Sequence, residues 1–130
     1  MKHIKQLEGT KYIKYAVEAW HYLLLNEGCG NAIQIHSEHS ALVLEKGEDF
    51  IGMIIFKHVG DEYHIGMGYV KHKYRNKNYY QVLWDELVFL ATIKKVTHIY
   101  GDCFINNHPI LNFMNKNNRN PHILVTRYKI

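Results

Sequence analysis

The 130-residue chain contains little that would cross-link it or hold it in a membrane. Its two cysteines, Cys29 and Cys103, form no disulfide framework, and we expect them to remain reduced thiols. No stretch approaches the roughly 20 consecutive apolar residues that a membrane-spanning helix needs. The first 25 residues carry polar or charged groups throughout, without the apolar segment of a secretory signal. These absences predict a cytoplasmic protein without a membrane partner.

Motifs for metal binding and internal repeats are also missing from the sequence. The ten histidines are scattered, and their one close pair, His36 and His39, has no Cys-x-x-Cys nearby. Zinc sites usually show tightly spaced ligand pairs, so no metal centre is predicted. Without a repeat or an interdomain linker, residues 1–130 are predicted to form one domain.

The chain carries a moderate excess of positive charge. A formal net charge of +4 and an isoelectric point near 9 suit an anionic partner. The charge is concentrated in one segment, which holds Lys71, Lys73, Arg75 and Lys77. A compact basic loop fits a small polyphosphate better than a long polyanion. Tyrosines interleave with these cations over residues 71–80, so a nucleic-acid-binding module that uses phosphate contacts and base stacking is the alternative.

Hydrophobic periodicity predicts a helix near the start of the chain. Thr10 is a plausible N-cap, and Gly28 and Gly30 would end the helix. The predicted buried stripe consists of Ile13, Ala16, Val17, Trp20, Leu23 and Leu24.

The rest of the chain alternates between strand and helix patterns. Strands are predicted at residues 41–45, 50–57 and 62–70, and the tight turns between them indicate an antiparallel meander. A helix is predicted at 78–94, with Val82, Leu83, Leu87, Leu90 and Ile93 on its apolar face, broadened by Val88 and Phe89. A strand at 97–104, a short helix at 109–115 and a strand at 123–130 follow. The predicted fold class is α/β (α+β), with a central mixed, mostly antiparallel sheet flanked by helices.

Residues 67–80 combine a strand, a basic turn and the start of a helix. A helix N-terminus offers backbone N–H groups and the positive end of the helix dipole, so this order predicts a phosphate site. Asn78 is tolerable in such a loop because asparagine enters the left-handed backbone region more readily than most residues.

Four short motifs in this order resemble those of the GNAT acetyltransferases. Residues 75–80 resemble the pyrophosphate loop Arg/Gln-x-x-Gly-x-Gly/Ala, with Asn78 and Tyr80 at the small-residue positions. Phe50-Ile51-Gly52-Met53 and the segment 69–75 are similar to the family's strand entry and its "V-x-P-e-y-R" segment. Residues 107–114 resemble "N-x-x-a-i-x-f-Y", with Met114 in place of Tyr. The resemblance covers residues 40–130, and the tail 119–130 is similar to those of small phage-type members.

The resemblance implies a GNAT-like fold and an N-acetyltransferase that uses acetyl-CoA as co-substrate and acts on an unidentified primary amine. It implies that the backbone of Tyr69 and Val70 pairs with the pantetheine amides, that the Val70 N–H holds the oxyanion, and that Asn107 helps to hold the pantetheine arm. The implied pyrophosphate loop consists of Arg75, Asn76, Lys77, Asn78, Tyr79 and Tyr80.

The strands next to this loop carry candidates for the catalytic side chains. Glu62 and His64 lie on one face of a strand because side chains alternate with period two, and an imidazole can relay a proton near neutral pH. They are the candidates for a base, although both would also suit the exposed start of a strand. Met114 cannot donate a proton to the leaving thiolate, so Tyr100, Cys103 and Tyr80 are the candidates for that role.

Some questions stay open at the level of sequence. Met114 and Asn78 also fit a catalytically weak protein that binds acyl-CoA. The acceptor is not disclosed, because residues 10–39, which would form much of its site, carry no recognisable motif. A homodimer through the last strand is a further possibility.

Overall fold

The computed structural model describes residues 2–8, 11–26, 39–101 and 116. Its elements in chain order are β1 (Lys2–Glu8), α1 (Ile13–Asn26), β2 (His39–Lys46), β3 (Asp49–Val59), β4 (Glu62–Val70), a 3₁₀ turn (His72–Tyr74), α2 (Tyr79–Ile93) and β5 (His98–Gly101). Residues 1–100 form one compact unit and residues 101–130 a second. In the second unit the structure describes Gly101 and the exposed Lys116. That the whole chain is a single domain stays a prediction.

The sheet is mixed, with the order β1-β2-β3-β4-β5. The first four strands pair antiparallel. At the start of β5, the Thr97 N–H and hydroxyl donate to the carbonyl of Asp61 at 2.8 and 3.1 Å, just before β4. Three residues further along both strands, the rings of His64 and Tyr100 lie 5.5 Å apart. The two strands therefore run in the same direction, and α2 is the crossover that parallel neighbours require.

β1 is an element that the sequence analysis missed. It pairs with β2 along its whole length, from Lys2↔Lys46 to Glu8↔Ser40. Its apolar residues, Ile4 and Leu7, are three apart, so the sequence shows no period-two pattern. Charged residues are typical of an edge strand, where they discourage pairing with another chain.

The predicted meander is confirmed; β2 and β3 are longer than predicted, and β4 has the predicted bounds. Gly47 at φ 64° and Gly60 at φ 61° supply the left-handed residues of the two hairpin turns. The helix predicted at 78–94 runs from Tyr79 to Ile93. The predicted helix 109–115 and strand 123–130 lie outside the described residues, as do Thr10, Gly28 and Gly30.

The predicted buried stripe of α1 was right at Ala16 and wrong in phase at Ile13 and Val17. Its neighbours Tyr12, Tyr15 and Ala19 are buried together with Ala16, whereas Ile13 is 36% and Val17 49% exposed. The helical period was read correctly, but tyrosine was not counted as a core residue. Small alanines let the helix lie close to the sheet, and a tyrosine can bury its ring while its hydroxyl finds a partner. The side chains of Trp20, Leu23 and Leu24 are outside the described set.

The apolar face of α2 was partly right. Leu83 and Leu87 are buried as predicted, Val82 and Leu90 are half-buried, and Trp84 and Ala91 join the buried face. Val88, Phe89 and Ile93 are exposed, which contradicts their predicted place on the packed face. The face is narrower than predicted because it packs mainly on the central strands β2, β3 and β4.

The core lies on both sides of the sheet. Tyr12, Tyr15, Ala16 and Ala19 of α1 cluster with Ala41, Val43, Phe50, Met53, Ile55, Met67 and Tyr69 on one face, called here the α1 face. The intervening residues Leu42, Leu44 and Ile54 are also buried, and they point to the opposite face, called the α2 face. Burial on both sides explains why β3 is almost continuously apolar.

Candidate active site

The centre of the candidate site is an irregularity in β4. Ile55 pairs with Met67 and Phe56 with Ile65, so Gly66 is the extra residue of a β-bulge. Bulges bend a strand and re-aim its side chains, and they are frequent beside active sites. Gly66 and Gly68 had no predicted role, although two glycines inside one strand are a known sign of a bulge or of a close approach to the backbone.

The structure brings the three predicted catalytic residues together. His64 Nε2 lies 3.0 Å from Glu62 Oε1, and the Tyr100 ring of β5 contacts the His64 ring edge-on at a centroid distance of 5.5 Å. The side chains of Glu62 and His64 are 33% and 47% exposed, so substrate and water can reach them. A carboxylate only accepts hydrogen bonds, so Nε2 carries the proton and the Nδ1 of a neutral ring is the basic nitrogen.

In the loop between β4 and α2, two asparagines adopt a backbone conformation that glycine usually provides. Asn76 and Asn78 have φ values of 63° and 64°, in the left-handed region. Among the described residues, Asn78 makes no side-chain cap hydrogen bond, and the first turn of α2 contains no acidic residue. This backbone and this charge balance suit an anion at the helix start.

Arg75 fixes this loop to the end of β4. Its Nε donates a hydrogen bond of 2.9 Å to the carbonyl of Val70. The side chain of Arg75 therefore joins the predicted pyrophosphate loop to Val70, which was predicted to hold the oxyanion.

Two of the four cations in the basic segment are matched by carboxylates. Lys71 lies 3.4 Å from both Asp49 and Glu18, and Lys73 lies 3.5 Å from Asp49. Tyr74 donates its hydroxyl to the same Asp49, which lowers the pKa of Asp49 and raises the pKa of Tyr74. The segment offers less unneutralised charge to a polyanion than its composition suggests, which weighs against the nucleic-acid interpretation.

Tyr80 lies directly on Gly68. A Cβ built on Gly68 would come within 2.6 Å of Tyr80 Cε2 and 2.9 Å of Cζ, and closer still to the hydroxyl. Real Cβ atoms essentially never lie within 3.0 Å of another atom. The loop position of Tyr80 is one where the resemblance expects a small residue. The larger tyrosine ring fits there because the facing residue of β4, Gly68, has no side chain.

The remaining predictions concern three further site residues, a metal centre and membrane spans. Asn107, Cys103 and Met114 lie outside the described part of the chain. Within residues 2–8, 11–26 and 39–101, no three His, Cys, Asp or Glu side chains are grouped to hold a metal ion. None of the helices described is long and apolar enough to cross a membrane.

Comparison with known proteins gives one sequence-family match. The model of the acetyltransferase (GNAT) family matches residues 3–118. A search of curated protein sequences gives no match.

Several solved structures share the fold. An aminoglycoside acetyltransferase, meta-AAC0020, from an uncultured soil metagenomic sample superposes with a TM-score of 0.77 at 10% identity, over 99% of this chain and 96% of that one. A ribosomal-protein-alanine N-acetyltransferase from Brucella melitensis gives 0.74 at 13% identity, over 100% of both chains. The PaiA N-acetyltransferase from Thermoplasma acidophilum, in complex with coenzyme A, gives 0.73 at 16% identity, over 90% and 88%. At these identities the likeness establishes the fold.

Proposed function

Because the chain belongs to the GNAT acetyltransferase family, we propose that it transfers an acetyl group from acetyl-CoA to a primary amine. The observation that carries this proposal is the contact of Glu62, His64 and Tyr100 on strands β4 and β5, beside the bulge. It joins a candidate base and a hydroxyl at one place on the sheet.

The donor is proposed to lie along β4 and to reach the start of α2. The left-handed Asn76 and Asn78 shape the loop before α2, and the backbone N–H groups of the first turn of α2 are proposed to bind the pyrophosphate. The backbone of Tyr69 and Val70 pairs with the pantetheine amides, and Asn107 remains a proposed contact from outside the described residues. Solved relatives include one bound to coenzyme A and one bound to a CoA bisubstrate analog.

In the proposed reaction His64 accepts one proton and Tyr100 donates one. Glu62 holds the Nε2–H of His64, so Nδ1 accepts a proton from the amine, directly or through water. The amine nitrogen then bonds to the thioester carbon, and the resulting oxyanion needs a hydrogen-bond donor beside His64. Val70, which the resemblance implied for this role, pairs with Gly52 at the far end of β4, about 20 Å along the strand from His64, so its N–H is too far away to serve the same reaction centre. When the C–S bond breaks, the thiolate takes a proton from Tyr100, and the proton held by His64 returns to the Tyr100 oxygen directly or through water, which yields the amide, CoA and the starting protein.

The test is amine-dependent release of CoA from acetyl-CoA. We expect His64→Gln and Glu62→Gln to lower kcat by about 10²-fold or more, in the range of a lost general base. Tyr100→Phe should lower kcat less, because a CoA thiolate is a fairly good leaving group. His58→Gln is the matched control, since His58 is an exposed histidine of the neighbouring strand β3 and belongs to no part of the proposed site. Equal activity of His64→Gln and His58→Gln would remove the proposed base.

The catalytically weak alternative depends on Met114, at the family's usual tyrosine position. It requires Met114→Tyr to raise turnover, whereas the contact of Tyr100 with His64 supports a hydroxyl supplied from β5. Good turnover of the unmodified protein, without a gain from Met114→Tyr, would exclude it. The cytoplasmic location, the phage-type subclass and the homodimer stay predictions from the sequence.

A further inference from the structure

The loop before α2 holds two residues in a backbone conformation that is costly for most residues other than glycine. Asn76 and Asn78 have φ values of 63° and 64°, where a side chain crowds its own backbone. Such conformations persist only where neighbouring contacts fix them. The contacts at the two ends of this loop are therefore needed to keep the first turn of α2 in the geometry proposed for the pyrophosphate.

At the near end, the loop is attached to β3 by Tyr74. This tyrosine is the last residue of the 3₁₀ turn, and its hydroxyl donates a hydrogen bond to Asp49 Oδ2. Asp49 is the first residue of β3 and pairs with Lys46 across the β2–β3 hairpin, so its backbone is fixed in the sheet. The bond joins residues 25 apart in the chain and ties the entrance of the loop to a strand other than β4.

At the far end, the same tyrosine contacts the start of α2. The rings of Tyr74 and Tyr79 meet edge to face, with their centroids 5.7 Å apart and an interplanar angle of 87°. This is a favoured arrangement of two aromatic rings. Tyr79 is the first residue of α2. Tyr74 thus bridges residues 75–78, with its hydroxyl on the sheet and its ring against the helix.

The charges around Asp49 keep this bond intact near neutral pH. The hydrogen bond from Tyr74 is the largest influence on the carboxyl group and lowers the pKa of Asp49, and the same bond raises the pKa of Tyr74. Lys71 at 3.4 Å and Lys73 at 3.5 Å also favour the ionised carboxylate. At neutral pH, Asp49 therefore stays ionised and accepts, and Tyr74 stays protonated and donates.

We propose that Tyr74 is a positioning residue for the donor: it holds the first turn of α2 against β3, in the place where the pyrophosphate binds. The inference rests on the proposed function. Tyr74 follows the end of β4, and His64 lies near the start of that strand, so Tyr74 acts on the pyrophosphate end of the donor and not on the thioester. Its loss should weaken binding of a ligand that carries the pyrophosphate and spare one that lacks it.

The experiment measures the dissociation constant of acetyl-CoA by calorimetric titration, which needs no amine. Tyr74→Phe removes the hydroxyl and keeps the ring, and we expect it to weaken acetyl-CoA binding by about 3- to 10-fold, the scale of one net hydrogen bond. Tyr74→Leu, which also removes the ring contact with Tyr79, should weaken binding further. S-acetylpantetheine carries the thioester and the pantetheine arm without the pyrophosphate. It should raise the melting temperature of Tyr74→Phe by as much as that of the unmodified protein.

Asp49→Ala tests the partner of the hydroxyl. Without this carboxylate the hydrogen bond is already absent, so Tyr74→Phe should cause no further loss of acetyl-CoA affinity in the Asp49→Ala background. A loss of equal size in both backgrounds would overturn the role of the bond.

Tyr15→Phe is the matched control, because it removes a tyrosine hydroxyl from a carboxylate elsewhere in the fold, the 2.9 Å bond to Glu45. It should lower the melting temperature and leave the dissociation constant of acetyl-CoA unchanged. The proposal is overturned if Tyr74→Phe loses no more acetyl-CoA affinity than Tyr15→Phe, or if S-acetylpantetheine stabilises Tyr74→Phe less than the unmodified protein. Absence of acetyl-CoA binding by the unmodified protein is a distinct result, which would overturn the proposed function and the role of Tyr74 with it.

Discussion

Gly52 of β3 has no side chain at a place where β3 and the end of β4 lie too close for one, so both the fold and the proposed donor site depend on it. A Cβ at this position would lie 2.5 Å from the carbonyl oxygen of Tyr69 and 3.1 Å from both Cα and Cγ2 of Val70. Two of these three atoms are backbone, so no side-chain rotation can relieve the contact. Gly52→Ala must push β3 and the end of β4 apart.

The expected cost follows from the size of the clash. Overpacking a core by a methyl group costs about 1–3 kcal/mol, and contact with backbone places this case at the upper end. For a chain of this size, about 3 kcal/mol lowers the melting temperature by roughly 10 °C. The displaced backbone is that of Tyr69 and Val70, so affinity for acetyl-CoA should fall more than stability alone explains.

Gly47→Ala is the matched control for this substitution. Gly47 has φ 64°, and no atom of the described residues lies within 4 Å of its ideal Cβ. The change costs about 1–2 kcal/mol of backbone strain, without a clash and away from β4. We expect thermal melting to show a larger loss for Gly52→Ala, and titration to show weaker acetyl-CoA binding for Gly52→Ala alone. Equal melting temperatures and equal affinities in the two variants would refute the close approach of β3 and β4.

Three further outcomes follow from the contacts. Burial raises the pKa of Glu45, but hydrogen bonds from Lys5 and Tyr15 outweigh burial, so the net pKa of Glu45 is lowered. The stabilisation from the contacts of ionised Glu45 should be complete above about pH 4.5 and disappear as the pH falls through the folded-state pKa. Acid melts of Glu45→Gln should lack this pH dependence. Tyr15→Phe removes the 2.9 Å bond to Glu45 and should cost about 1.5–3 kcal/mol in urea unfolding, whereas the exposed control Val17→Ala should cost far less. Asp49→Asn leaves Lys71 and Lys73 without their shared carboxylate, so the protein's retention on an oligonucleotide column should rise and should depend on salt. Unchanged retention would contradict the conclusion that Asp49 neutralises these lysines.

The central fold could be read from the sequence because its strongest signals are local. β4 and α2 were predicted almost to the residue, since an apolar alternation ends in a basic turn and a helical period follows. β1 gave no such signal, because an edge strand with two apolar residues is fixed by pairing with β2 rather than by its own pattern.

The sequence suggested candidate residues for the site and gave no information on its shape. Glu62, His64 and Tyr100 were named from strand alternation and residue type, and the structure places them in contact. The packing of Tyr80 on Gly68 joins residues twelve apart on different elements, and no local pattern encodes such a contact. The same limit explains the phase error in α1, where burial of Tyr15 depends on a partner thirty residues away.

The measurement that tests the account most directly is a calorimetric titration of the protein with acetyl-CoA, with desulfo-CoA and ATP as controls. We expect saturable binding of one acetyl-CoA per chain at micromolar concentration, selective over ATP. Gly52→Ala should weaken this binding, and Gly47→Ala should not. Absence of binding by any of the three ligands to the folded protein would contradict the assignment of β4 and the 75–80 loop as a donor site.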